Sequence, residues 1–235
     1  MKNGIKHLGI IIDGNRRFSK RTGLPYNQVY KLGAQKVYEV VRYVFTKTDI
    51  PELSIYALSY DNLLRKSKEL DAILKSQKEE FDRWIDDSFF EKYDIKIRFI
   101  GELNLLPIGV VKSCIALMEK TSNNKGKTLN LLMAYFGSRE IVLAVERILK
   151  HKNIFANGNG KNIDVQDLIQ QNLSIKEPVD LIIRTGGGAR LSGFLPWQSE
   201  YAELYTIKKL WPEVEAKDIQ EAIEYYNTIE AKKGK

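Results

Sequence analysis

The chain has 235 residues, of which 43% are hydrophobic and 29% charged, and 37 Lys and Arg against 30 Asp and Glu give a formal net charge of +7. That composition supports one sizeable soluble core, contains no apolar run near the roughly 20 residues a bilayer span needs, and excludes an intrachain disulfide because Cys114 stands alone. The positive excess fits an anionic partner, whether a diphosphate, an anionic membrane face or a nucleic acid, but no RNP-type strand, zinc-finger spacing or long basic arm supports nucleic acid.

The first apolar run, Leu8–Ile12, begins so early that no secretory leader is expected. Bounded by turn residues, it reads as a buried strand. Val29–Thr46 has helical spacing, and Leu53–Leu58 is strand-like. Glu69–Phe90 is a long helical run that sets Leu70, Leu74, Phe81, Trp84, Ile85 and Phe89 near one stripe. The stripe reads as core packing or as one wall of an apolar tunnel. It is narrow, because Lys75, Gln77, Lys78, Glu79 and Glu80 occupy its middle. Ile95–Ile100 is a strand, Ile108–Lys120 a helix with Cys114 as a core thiol suited to a reducing cytoplasm, and Leu129–Tyr135 a strand.

A helix over Arg139–His151 leads to a polar loop, Asn153–Asn162, and a short helix, Val165–Gln171. Strands at Leu181–Ile183 and Leu204–Ile207 and a helix over Asp218–Ala231 complete the chain. Strands alternating with helices predict a single α/β domain over residues 1–235, with a mainly parallel six-stranded sheet flanked by helices.

Two strand ends carry the chemistry. The first strand runs into Asp13-Gly14-Asn15-Arg16-Arg17, and the fifth into Arg184-Thr-Gly-Gly-Gly-Ala-Arg190-Leu-Ser192. If the two strands are parallel neighbours, these turns meet at the carboxyl edge, where such sheets bind ligands. A carboxylate suits a hard divalent cation and guanidinium groups suit phosphate oxygens, so a phosphorylated ligand carrying Mg²⁺ satisfies both. Other glycine patterns fail on spacing. Gly126-Lys127-Thr128 lacks the upstream glycine of a Walker loop, and Gly186-Gly-Gly188 lacks the third glycine of a dinucleotide fingerprint. His7 and His151 have no metal-ligand spacing and read as structural.

The pairing of Asp-Gly-Asn-x-Arg with Arg-Thr-Gly-Gly-x-x-Arg-Leu-Ser closely resembles the cis-prenyltransferases, the Z-type isoprenyl diphosphate synthases. Ser54-Ile-Tyr-Ala-Leu-Ser-Tyr-Asp-Asn62 followed by Arg65, then Phe194-Leu-Pro-Trp-Gln…Glu203-Leu-Tyr205 and Leu210-Trp-Pro212, extend the resemblance over nearly the whole chain. It implies a Rossmann-like subunit with an apolar tunnel, in a homodimer or heterodimer. The implied reaction joins an allylic prenyl diphosphate to isopentenyl diphosphate and creates a Z double bond in a polyprenyl carrier-lipid precursor. By the same resemblance, Asp13 would hold Mg²⁺ on the donor, and Gly14, Asn15, Arg16 and Arg17 would wrap its diphosphate. Arg184, Arg190 and Ser192 would grip the acceptor, Glu203 would bind the acceptor's metal, Ser59 and Asn62 would line the reacting centre, and Arg65 would bind substrate, with Asp13, Asn15 and Asn62 as the catalytic residues. The setting is a cytoplasmic enzyme with peripheral membrane contact and no nucleic-acid partner.

The chain departs from the family pattern around the site. Arg16 replaces a usual glycine, Phe18 a tryptophan, Tyr26 a diphosphate-binding arginine and Tyr30 a histidine. Gly188-Ala189 replaces Glu-His, Gly193 an asparagine, and Lys232-Lys233-Gly234 echoes a C-terminal Arg-x-Gly. Three readings stay open at this stage. They are head-to-tail cis-prenyl transfer with altered substrates or length, a non-head-to-tail (lavandulyl-type) or terpene-forming enzyme, and a noncatalytic subunit. Retention of Asp13 argues against the last, and the narrow stripe favours short or medium products.

Overall fold

A computed structural model of the chain describes residues 4–150 and 164–229. β1 (His7–Ile11) leads into α1 (Asn15–Thr22) and α2 (Tyr26–Lys47), and β2 (Glu52–Ser59) into the single turn α3 (Tyr60–Leu63) and the long α4 (Ser67–Ile85). A short α5 (Phe89–Lys92) precedes β3 (Ile95–Ile100), α6 (Ile108–Lys120), β4 (Lys127–Tyr135) and α7 (Gly137–Lys150). After residue 164 come α8 (Val165–Asn172), β5 (Leu181–Arg184), β6 (Glu203–Thr206) and α9 (Ala216–Thr228). Expectations for His151, the Asn153–Asn162 loop and the Lys232–Gly234 tail lie outside the described residues.

The six strands form one sheet in the order β3-β4-β2-β1-β5-β6, every pair parallel. Leu8 stands between Leu53 and Leu181, and Ile11 between Tyr56 and Arg184. Alternation along the strands sends Leu8, Ile10, Leu53, Ile55, Leu181 and Ile183 to the face covered by α2 and α4, and Ile11, Tyr56 and Ile182 to the opposite face with Phe194 and Leu195. Each fully buried Leu, Ile or Phe contributes about 1.5–3 kcal/mol. Gly9 belongs to the second face: a Cβ there would lie 2.6 Å from the Phe194 ring, so the glycine admits that aromatic over the sheet.

Two differences from the sequence pattern have local causes. α1, Asn-Arg-Arg-Phe-Ser-Lys-Arg-Thr, buries no residue and so shows no apolar periodicity. It is held at its ends, where Phe18 N–H bonds Gly14 C=O at 2.8 Å and Gly23, in the left-handed region, bonds Ser19 C=O at 2.9 Å. The predicted helix over Glu69–Phe90 divides after Ile85, where the Asp87 carboxylate accepts the Phe89 N–H at 2.8 Å and starts α5.

At the amino edge of the sheet His7 is fully buried. Its Nδ1 lies 3.0 Å from the Glu177 carbonyl oxygen, which only accepts, so Nδ1 carries the proton and Nε2 accepts from Ser54 Oγ at 2.7 Å. Ser54 Oγ also accepts from Asn130 Nδ2 at 3.0 Å. Desolvation in this setting lowers the imidazole pKa below its ordinary 6.5, against the pull of Glu52 and the other nearby acids. The unfolded chain therefore binds a proton that the folded chain refuses, and stability falls as pH drops below 6.5 toward the folded value. Denaturant titrations from pH 7 to 5 should show this slope, at most about 1.4 kcal/mol per pH unit for one proton. His7→Gln should flatten it, and an unchanged slope in that variant would assign the effect elsewhere.

Candidate active site

β1 and β5 are neighbours, but the chain leaves β1 toward β2 and reaches β5 from the other side, so their carboxyl ends form the switch point of the sheet. Asp13 lies there between two guanidinium groups. Its Oδ1 is 3.2 Å from Arg17 NH2 and its Oδ2 is 3.0 Å from Arg184 NH2. Arg17 also donates to Gly186 C=O at 2.6 Å. Arg184, with its side chain only 7% exposed, donates to Ser192 Oγ at 2.9 Å and to the Arg190 carbonyl, and its Nε is a buried donor with no protein acceptor. Gly14, at φ 123°, opens α1 where a Cβ would strike Leu210 Cα at 2.9 Å. This turn aims the first N–H groups of α1 into the same space that Arg16 and Arg17 line.

A second carboxylate stands behind the cradle. Glu69, buried in the first turn of α4, takes the Tyr30 hydroxyl at 2.7 Å and Arg65 NH1 at 2.9 Å, with Arg16 Nε at 3.8 Å, all on Oε1. Arg65 NH1 also donates to the Tyr30 oxygen at 3.1 Å. Burial, reinforced by the bond to Glu69, raises the Tyr30 pKa, so the phenol stays protonated. Its one hydrogen goes to Glu69, which leaves Tyr30 as an acceptor toward any further partner.

From this mouth a cavity of about 740 Å³ runs between α2 and α4 under the sheet. Polar residues from Asp13 to Arg17, with Lys20, Tyr26, Arg65 and Arg190, line its outer part. Val37, Ile73, Phe81, Trp84 and Leu131 line the inner part. Ile73, Gln77, Glu80, Phe81 and Trp84 follow helical spacing on one face of α4. Of the predicted stripe only Phe81 and Trp84 reach the cavity, while Leu70, Leu74, Ile85 and Phe89 pack with the core; Ile73 and the polar Gln77 and Glu80 complete the wall. Glu80 is buried and accepts from Trp84 Nε1 at 2.8 Å and from Arg83, while Gln77 donates to Ala57 C=O at 2.9 Å.

Of the candidate residues, Asp13, Gly14, Asn15, Arg16, Arg17, Tyr26, Tyr30, Asn62, Arg65, Arg184 and Arg190 all line this cavity. Four stand back from its wall. Phe18 lies half-buried under Arg21 on the outside of α1. Ser59 supplies a backbone N–H to Asn62 Oδ1 at 3.3 Å, and Ser192 acts through Arg184. Glu203 is displaced furthest: the parallel register sets it opposite Leu181, itself opposite Leu8, so it begins its strand roughly 15 Å along the sheet from Asp13. Its N–H bonds Asp180 C=O at 3.0 Å, at the edge away from the cradle. Within one chain Glu203 and Asp13 therefore cannot share a metal. The residues that sequence leaves without a role are Glu69, Thr185 and Trp211. The Arg65…Glu69 spacing of four was the available signal for Glu69, although Arg65 itself stands in the turn just before α4. Trp211 bonds Gly33 C=O through Nε1 at 2.9 Å and Asp13 C=O through its N–H at 3.1 Å, joining α2 to the cradle.

Among the described residues no three His, Cys, Asp or Glu side chains cluster as a metal cage. Asp13 alone, facing a space lined by phosphate-binding donors, fits the mode in which Mg²⁺ takes one or two carboxylates and completes its shell with substrate phosphates and water. The orphan Arg184 Nε fits the anion itself.

An anion cradle of opposed arginines at the switch point, opening into an apolar tunnel between two helices, defines an α/β protein whose site suits an anionic group joined to an apolar chain. The prenyltransferase family model described as undecaprenyl diphosphate synthase matches residues 11–234, and the chain belongs to that family. It is 34% identical over 229 residues to a tritrans,polycis-undecaprenyl-diphosphate synthase (geranylgeranyl-diphosphate specific) of Pyrobaculum aerophilum, covering 97% of this chain and 95% of that protein. It is 32% identical to an isoprenyl transferase of Thermus thermophilus, covering 98% and 89%. The solved lavandulyl diphosphate synthase from Lavandula x intermedia, in complex with dimethylallyl diphosphate, superimposes with a TM-score of 0.88 at 27% identity, covering 96% of each chain.

Tyr30→Phe removes the hydroxyl that satisfies Glu69 while keeping the ring. A lost hydrogen bond to a buried charged acceptor costs about 1–3 kcal/mol. Urea unfolding should show a loss of that size, and coincident transitions would mean that Arg65 alone satisfies Glu69.

Proposed function

We propose that this chain condenses an allylic prenyl diphosphate with isopentenyl diphosphate to give a Z-prenyl diphosphate, of the kind that serves as a carrier-lipid precursor. The observation that carries this reading is the continuity of one cavity from the Asp13–Arg17–Arg184 cradle to the apolar wall of Phe81, Trp84 and Leu131. The donor diphosphate sits on the N-terminal turn of α1 with Arg16 and Arg17, and its chain points inward. Arg184 and Arg190 hold the acceptor diphosphate, which fixes the acceptor's double bond against the allylic carbon. Arg17 and Arg184 turn from Asp13 to the phosphates as they bind, freeing the carboxylate. Mg²⁺ bound at Asp13 would supply charge neutralisation of the leaving diphosphate. Tyr30 accepts a hydrogen bond and stays neutral through the step, unlike a histidine that could hand over a proton.

Gln77 and Glu80 interrupt the apolar wall that α4 gives the tunnel, which supports a short or medium product. The likeness to a lavandulyl diphosphate synthase favours non-head-to-tail coupling of two short allylic units as the second reading. A homodimer is supported by the exposed stripe Val142, Val145 and Leu149 on α7. No helix among the described residues is long and apolar enough to cross a membrane, which agrees with a cytoplasmic enzyme that touches lipid at most peripherally.

Purified protein, labelled isopentenyl diphosphate, allylic donors of increasing length and Mg²⁺ should yield short Z-products, with none in excess EDTA. Products from dimethylallyl diphosphate alone would move the assignment to the second reading. Asp13→Ala should lower kcat about a thousandfold, equivalent to roughly 4 kcal/mol of transition-state stabilisation. A variant within threefold of wild type would remove Asp13 from the chemistry. Sedimentation should give a dimer that Val145→Asp weakens, and a wild-type monomer would end the dimer reading.

A further inference from the structure

The β1–β5 ladder ends at the pair Ile11↔Arg184. Beyond it the two segments diverge, and the backbone of Asp13 loses its strand partner. Thr185, fully buried and outside the cavity wall, takes the place of that partner. Its Oγ1 accepts the Asp13 N–H at 2.9 Å and donates to the Asp13 C=O at 2.6 Å, so one hydroxyl satisfies both ends of one residue. Ile11 C=O is the competing acceptor for that hydroxyl and lies farther off at 3.5 Å. Thr185 N–H meanwhile bonds Ile11 C=O at 3.2 Å, which fixes where the threonine stands relative to β1.

We propose that Thr185 is a positioning residue for the reaction: its hydroxyl replaces the missing ladder bonds at the switch point and sets the Asp13 carboxylate toward the ligand space. The proposal rests on the prenyl-transfer reading for its kinetic part and on the geometry alone for the rest. A free carboxylate at the end of a strand would swing with its own backbone. Arg17 and Arg184 hold Asp13 only until they engage phosphate, whereas Thr185 holds it throughout. Its contribution is therefore largest in the ligand-bound state, when the ion pairs have opened. Trp211 N–H, at 3.1 Å from Asp13 C=O, steadies the same peptide from one side only. A hydrophobic isostere at 185 would leave the Asp13 N–H only its 3.1 Å local contact with Ile11 C=O, two residues back.

The test compares Thr185→Val, which keeps shape and loses the hydroxyl, with Thr185→Ser, which keeps the hydroxyl. Val should cut kcat about tenfold or more, as small misplacements of reacting groups do, with the KM for isopentenyl diphosphate within about twofold of wild type. Calorimetry with inorganic diphosphate supplies a readout free of turnover. In EDTA the Val variant should bind as wild type does, while the added affinity conferred by Mg²⁺ should fall about tenfold. Ser should restore both. Val turning over within twofold of wild type, or Ser and Val equally impaired, would overturn the proposal, the second outcome showing that the methyl group packs and the hydroxyl does nothing. If Val does not fold by circular dichroism, Thr185→Cys against Thr185→Ser makes the same comparison, and equal Mg²⁺ enhancement in the two overturns the proposal. A wild type that binds diphosphate but turns over no allylic donor would defeat the prenyl-transfer reading, while the calorimetric comparison would still decide the role of Thr185.

Discussion

The Asp13 carboxylate held between Arg17 and Arg184 is the contact on which the rest of this site depends. One guanidinium comes from the helix after β1 and the other from the end of β5, so the pair of bonds closes the switch point of the sheet. Arg184 is almost wholly buried, and an arginine in that position is tolerable only while its charge is answered. Asp13 answers it in the ligand-free chain. In the proposed reaction a diphosphate, with more charge and more acceptors, would take over that role, so that no buried charge is left unpaired.

Glu69 repeats this arrangement with a different outcome. It is more deeply buried than Asp13, and its partners Tyr30 and Arg65 come from α2 and from the segment before α4. Substituting a phenol for the family's histidine therefore does not simply subtract a phosphate contact. The Tyr30 hydrogen is spent on Glu69, which in turn keeps Arg65 at the mouth of the cavity. Arg16 and Arg17 face the cavity mouth, with Tyr30 and Arg65 braced behind them on Glu69.

The tunnel shows how packing and binding share one helix face. Phe81 and Trp84 belong to the main core cluster and also line the cavity. Of the polar residues on that face, Glu80 is tied up by Arg83 and Trp84, while Gln77 gives its amide N–H to the β2 carbonyl of Ala57 and keeps a buried Oε1 with no protein donor. Glu80 thus presents a satisfied group to the tunnel, whereas the Gln77 oxygen is a polar point in its wall.

Much of the fold was legible in the sequence, because strands buried on both faces read as continuous apolar runs and β3 and α6 match their predicted limits. The two polar turns were legible for the same reason, since a parallel sheet brings its carboxyl ends together. α1 was hidden, since a helix that buries nothing leaves no periodic trace. The position of Glu203 was hidden as well. Motif order says which residues accompany one another, but strand register decides which edge they occupy, and here it sets Glu203 at the opposite edge from Asp13. Hydrogen-bond partners across 172 residues of chain, such as Thr185 with Asp13, were equally beyond the pattern. Local sequence determines propensity and burial, and so which elements form and which ends are polar. Only the assembled sheet decides which hydroxyl, carboxylate and guanidinium come within about 3 Å of one another, because those distances are set by register and divergence at the switch point rather than by any residue's own neighbours.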